Sequence, residues 1–129
     1  MTENPRRSLL LVEDETLILL ELEDSLTAEG FDVVTASSGA KAITAIDKDA
    51  GRFSGLVTDI RLGKGPDGWE LARRIREEVP RMPVVYMSGD SAQDWAARGV
   101  PDSIMLHKPF VNAQLMTAIA SLLNRSDKP

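Results

Sequence analysis

Short apolar runs alternate along the chain with longer stretches in which apolar residues recur every three or four positions. Runs at 9–12, 31–36, 56–60, 83–87 and, more weakly, 103–106 read as strands. Continuous apolar runs of this length suit strands covered on both faces, as in a parallel sheet. Between them lie amphipathic segments. Over 15–29, Ile18, Leu22 and Leu26 recur at fours and Gly30 supplies a stop. Over 39–49, Ile43 and Ile46 form a thinner stripe padded with Ala. Over 69–79, Leu71, Ala72, Ile75 and Val79 share a face, and Pro80 ends the segment. Over 111–123, Leu115, Met116, Ile119, Leu122 and Leu123 make the clearest stripe. The segment 91–98 predicts only a short, weak helix, opened by Ser91 with Asp94 three residues on. The sum is five β–α repeats, hence an α/β fold with a parallel sheet and helices on both faces. One domain is expected over 8–124, with loose polar ends at 1–7 and 125–129.

Composition narrows the chemistry. The 129 residues carry 15 Lys plus Arg against 20 Asp plus Glu, a net charge of −5. That balance argues against a nucleic-acid partner, which needs clustered positive charge. There is no Cys and one His, so disulfides, thiolate metal sites and a Cys nucleophile are excluded, and a His-based zinc site with them. No apolar run approaches the roughly 20 residues that span a bilayer, and no signal-peptide pattern opens the chain. The expected location is the cytoplasm, with no membrane partner. Most acidic residues between Ser8 and Ala40, such as Glu21, Glu23 and Asp24, read as a solvated helix face. Arg73, Arg74 and Arg76 read the same way. Trp69 reads as packing. Trp95 is expected to pack inward, with an aromatic anchor for a partner as the alternative.

In open parallel sheets ligands gather at the carboxyl ends of the strands. The first strand ends in Glu13-Asp14, the third in Asp59, the fourth in Ser88-Gly89 and the fifth in His107-Lys108-Pro109. One edge would then hold three carboxylates, a hydroxyl and an ammonium. Converging carboxylates repel one another unless a cation sits among them. All-oxygen ligands select a hard ion, Mg²⁺, Mn²⁺ or Ca²⁺. Lys108 and Ser88 would complete what a phosphoryl group needs, charge neutralisation and a hydrogen-bond donor. A carboxylate can itself be the nucleophile, giving an aspartyl phosphate. Each piece alone has an ordinary reading. Glu13-Asp14 suits a helix start, Asp59 a strand-end cap, Ser88-Gly89-Asp90 a turn, and Lys108-Pro109 an extended dipeptide. The weight lies in their falling at successive strand ends.

With those motifs in place, the chain resembles the response-regulator receiver family of two-component signalling over roughly 8–123. The resemblance rests on Leu9-Leu10-Leu11-Val12-Glu13-Asp14-Glu15, Leu56-Val57-Thr58-Asp59-Ile60, Val84-Val85-Tyr86-Met87-Ser88-Gly89 and His107-Lys108-Pro109-Phe110. It implies a flavodoxin-like sheet of order 2-1-3-4-5 and a phosphoacceptor at Asp59. It implies Mg²⁺, with Mn²⁺ as a substitute, held by Asp14, Glu13, Asp59 and the backbone carbonyl of Arg61. Ser88 and Gly89 would meet the phosphoryl group, Ser88 as the switch hydroxyl. Lys108 would pair with the phosphoryl group, and Lys108–Pro109 would be cis. Three departures stand out. Met105 occupies the position where an aromatic switch residue is usual. The loop after Asp59 carries Leu62-Gly63 and one extra residue within Lys64-Gly65-Pro66. Only 19 residues separate Ser88 from Lys108, so the fourth helix should be short or irregular.

The expected function is a phosphoacceptor receiver, not an enzyme beyond accepting and losing a phosphoryl group. Its donor would be a histidine kinase or histidine phosphotransfer protein, and its output an unidentified downstream protein. With no DNA-binding or enzymatic output domain expected after Leu123, a single-domain response regulator is expected, with a phosphate relay or sink, or a fragment of a larger kinase, as the alternatives. A Mg²⁺-dependent aspartyl-phosphate phosphohydrolase would want an Asp-x-Asp pair and a cap, and Asp59-Ile60-Arg61 lacks the pair. An unphosphorylated binding module would not need intact Asp59 and Lys108. A flavin-binding relative would need a hydroxyl-rich loop where Glu13-Asp14-Glu15 stands.

Overall fold

The computed structural model describes residues 6–126. Five strands, β1 (Ser8–Val12), β2 (Asp32–Ala36), β3 (Gly55–Asp59), β4 (Val84–Ser88) and β5 (Ile104–His107), form one sheet. Every pairing is parallel and the order is β2-β1-β3-β4-β5. The helices are α1 (Thr16–Ala28), α2 (Gly39–Asp49), α3 (Gly68–Glu78), α4 (Trp95–Arg98) and α5 (Asn112–Ser126). The expected sheet order, the helical layers and the short fourth helix are all present.

The period of two along a strand sorts the core into two layers. Leu10, Val12 and Leu56 point to one side and pack with Ile46 of α2 and Trp69, Leu71 and Ile75 of α3. Leu9, Leu11 and Val57 point to the other and pack with Leu19, Leu22 and Leu26 of α1 and Leu115 and Ile119 of α5. The α1 stripe differs from the expected fours. Leu19 joins Leu22 and Leu26 in the core while Ile18 stays half-buried, because the true 3.6-residue period rotates the face.

The starts of α2 and α3 are fixed by side chains. Ser38 Oγ accepts from Lys41 N–H at 3.1 Å, and Asp67 Oδ1 from Glu70 N–H at 3.0 Å. Ser91 does not cap in the expected way, for its hydroxyl donates to Asp90 Oδ1 at 3.0 Å instead. A 3-10 turn at Ala92–Asp94 leads into α4, whose residues are all exposed. With no apolar face to bury, and with Gly99 and Pro101 following, nothing extends that helix. Trp95 is 38% exposed rather than inward, its indole N–H bonded to Ser103 Oγ at 2.9 Å. Arg76 departs from the solvated face, since its Nε donates to the Met82 carbonyl at 2.7 Å. At the ends, the Arg7 carbonyl accepts from Asp32 N–H and α5 runs through Ser126. Positions 1–5 and 127–129, where loose ends were expected, lie outside the described residues.

The lengthened β3–α3 loop is pinned against α2. A Cβ built on Gly39 would collide with the Pro66 carbonyl oxygen, a backbone atom with little room to yield. Gly39→Ala is therefore expected to destabilise the fold by about 1–3 kcal/mol, the usual range for overpacking. Urea unfolding checks this, and a change within about 0.5 kcal/mol, the ordinary surface range, would contradict the packing described.

Candidate functional site

The parallel sheet brings the carboxyl ends of β1, β3 and β5 to one edge. Glu13 follows β1 and is fully buried. Its Oε1 accepts from Lys108 Nζ at 2.7 Å, and its Oε2 accepts from Glu15 N–H at 3.2 Å. Asp59 closes β3 and is 8% exposed. Its Oδ1 accepts from Ile60 N–H at 2.8 Å, and its Oδ2 accepts from Lys108 Nζ at 3.1 Å. Lys108, just past β5, thus spans two carboxylates with one ammonium. Asp14 is exposed and has no hydrogen-bond partner among the described residues.

Carboxylate oxygens of Glu13, Asp14 and Asp59 lie within 4.8 Å of one another. Oxygens around one Mg²⁺, each about 2.0–2.1 Å from the ion, sit roughly 3–4 Å apart. Small side-chain rotations close that gap, so the donor set fits a hard divalent cation. Charge points the same way, because three carboxylates face a single ammonium. Burial and the neighbouring Glu13 carboxylate push the Asp59 pKa up from 3.8 to about 6, although the Lys108 bond opposes this. Burial lowers the Lys108 pKa, but its bonds to Glu13 and Asp59 outweigh burial and raise it.

The other expected residues are placed less directly. Ser88 is buried at the end of β4, and its carbonyl accepts from Lys108 N–H at 2.8 Å. Its hydroxyl is turned to its own turn, accepting from Ser91 N–H at 2.7 Å and Asp90 N–H at 3.2 Å. Gly89 is exposed, with open space where a Cβ would stand. Lys108–Pro109 is cis. Arg61 is exposed on the loop leaving β3. Met105 is half-buried opposite Tyr86 of β4 and packs into the layer that holds Trp69. Tyr86, which the sequence marks only as part of the fourth-strand motif, is fully buried against Trp69 with ring centroids 4.8 Å apart, and its hydroxyl accepts from Val100 N–H at 3.1 Å. An Arg61–Asp90 ion pair is not legible in the sequence, being an exposed contact between residues 29 apart with no pattern to mark it.

Comparison with known proteins decides the family. The sequence profile of the response regulator receiver domain matches residues 9–120. The chain belongs to that family. A response regulator receiver protein from Sinorhizobium medicae is 52% identical with a TM-score of 0.89, over 92% of this chain and 95% of that one. Sensor kinase CckA of Brucella abortus is 31% identical over 93% of this chain, and transcriptional regulatory protein PrrA of Mycobacterium tuberculosis is 32% identical over 90%. The chain spans only 13% of the first and 49% of the second, so receivers like this one occur within longer kinases and regulators. It is thus a receiver of two-component signalling, a family of phosphoacceptor signalling modules. No described helix is long and apolar enough to cross a membrane.

A raised carboxyl pKa means the folded state holds that proton more tightly than the unfolded chain does. Asp59 therefore costs stability increasingly as pH climbs from about 4 through about 6. In metal-free buffer, Asp59→Asn is expected to stabilise the domain at pH 7.5 by up to about 2–3 kcal/mol. The gain should fade toward pH 4. Denaturant unfolding at both values checks it, and an equal effect at both would contradict the assignment.

Proposed function

We propose that Asp59 is the phosphoacceptor and that Glu13, Asp14, Asp59 and the Arg61 backbone carbonyl hold Mg²⁺ during transfer. One observation carries this reading, namely Lys108 bonded to Asp59 and Glu13 beside Asp14, which has no partner among the described residues. An Asp59 oxygen attacks phosphorus, the bond to the donor's imidazole nitrogen breaks, and that nitrogen keeps the electron pair. The product is a mixed anhydride on Asp59. Lys108 already sits on the accepting carboxylate and neutralises charge as it builds, which is most of what phosphoryl transfer asks of a protein. A bound Mg²⁺ would supply further charge neutralisation at the same oxygens. Ser88 then turns from its own turn toward the new dianion and biases a two-state equilibrium.

The donor is a histidine kinase or histidine phosphotransfer protein that docks beside the site. Leu17, in the first turn of α1, is 76% exposed, and Val111, in the connection from β5 to α5, is 64% exposed. Along α1 lies a groove of about 780 Å³ lined by the apolar Ile18, Leu22, Pro109 and Phe110 together with polar residues that include Glu21 and Asp24, and it reaches Lys108. A partner whose phosphohistidine reaches Asp59 must cover this surface, and large exposed apolar side chains rimmed by polar ones suit such a contact.

Incubation with Mg²⁺ and acetyl phosphate is expected to add the mass of one phosphoryl group, acid-stable, base-labile and absent in Asp59→Ala. A gain that survives Asp59→Ala would remove the site assignment. Lys108→Ala is expected to accept phosphate without converting structurally, read as loss of the phosphate-dependent change in tryptophan emission. Leu17→Ser is expected to slow transfer from a protein donor about tenfold, a loss of one apolar anchor. It should leave transfer from acetyl phosphate as it was, and equal slowing with both donors would contradict the docking surface.

A further inference from the structure

A hydroxyl has one proton to donate and two lone pairs to accept with. Both acceptor positions of Ser88 Oγ are occupied, by Ser91 N–H at 2.7 Å and Asp90 N–H at 3.2 Å. The oxygen is thereby anchored to the turn that follows β4. That turn is itself anchored from outside. Arg61 Nε lies 3.1 Å from Asp90 Oδ1 and 2.9 Å from Oδ2, and Ser91 Oγ donates to Oδ1 at 3.0 Å. Arg61 stands two residues after Asp59 and Asp90 two residues after Ser88. The ion pair therefore ties the loop leaving β3 to the turn leaving β4, across the edge where the phosphoryl group is accepted.

We propose that Arg61 and Asp90 are a positioning pair that holds the Ser88 hydroxyl in its resting orientation, so that switching requires the pair to open. The proposal rests on the phosphoacceptor reading above. For Ser88 Oγ to approach a phosphoryl group on Asp59 it must leave the Ser91 and Asp90 amides. The turn must then relax, and an Asp90 carboxylate fixed by Arg61 opposes that relaxation. Both side chains are largely exposed, at 76% and 54%, which bounds the effect. Exposed pairs shift an equilibrium by about twofold to fivefold. The pair thus tunes how readily the domain switches and does not take part in the transfer.

The test titrates the full chain with beryllofluoride, a tetrahedral phosphoryl mimic, in Mg²⁺, and follows the Ser91 amide resonance by NMR. That amide loses its Ser88 partner when the switch is thrown. Asp90→Ala and Arg61→Ala are each expected to reach half-response at about twofold to fivefold lower beryllofluoride than wild type. Asp90→Asn keeps an acceptor for Ser91 and removes only the charge, and it should shift the midpoint the same way. The double exchange Arg61→Asp with Asp90→Arg should return the midpoint toward wild type, which loss of a merely structural contact would not do. Unchanged midpoints in the single variants would overturn the proposal. So would a raised midpoint in Arg61→Ala, which would mean that the guanidinium helps bind the phosphoryl group directly. A wild-type chain that responds at no concentration, and gains no phosphoryl mass from acetyl phosphate, would overturn the underlying reading instead.

Discussion

One ammonium shared by two carboxylates organises this domain. Lys108 reaches Glu13 across 95 positions of sequence and Asp59 across 49, so three strand ends distant in the chain are joined at one atom. Glu13 is wholly buried and Asp59 nearly so. Burying a carboxylate without a partner costs several kcal/mol, and removing one member of such a cluster strands the others. The sheet order follows the same constraint. All strands are parallel, so these ends share an edge, and β1 lies directly beside β3. With Asp14 included, three carboxylates face one ammonium among the described residues, so the cluster is two positive charges short of balance, which fits a divalent cation.

The surroundings of the site are less uniform. The layer beneath α2 and α3 is closed by Trp69 on Tyr86, and the Tyr86 hydroxyl is tied to Val100 in the connection between α4 and β5. That bond anchors a segment which α4, with no buried residue, cannot anchor by packing. Met105 faces Tyr86 across the β4–β5 pairing and fills space without a polar handle. In the turn after β4 and the loop after β3, by contrast, side-chain hydrogen bonds join Ser88, Asp90, Ser91 and Arg61, and the proposed switch would act there.

Much of this architecture is legible in the sequence. Strand positions followed from continuous apolar runs, because a strand covered on both faces has no polar side to interrupt it. The site followed from the rule that parallel strands place their carboxyl ends together. What could not be read depended on geometry beyond the pattern. The α1 face was misjudged by a rotation, since Leu19 rather than Ile18 completes the stripe. Trp95 was expected inward, but α4 is too short to define an inner face. Arg76 read as one of a charged group, and only the position of the Met82 carbonyl reveals its bond. Glu13 could be placed near a cation, yet its direct bond to Lys108 needed the third dimension.

On the proposed reading, buried Glu13 and Asp59 and exposed Asp14, brought together from two strand ends, hold one cation. Calorimetric titration of Mg²⁺ into the protein and into Asp14→Asn tests it most directly, because Asp14 is exposed and its loss leaves the buried Lys108 bonds in place. One ion bound per wild-type chain, with binding lost or greatly weakened in the variant, is the expected result. No Mg²⁺ uptake by the wild type, or equal uptake by both, would contradict it.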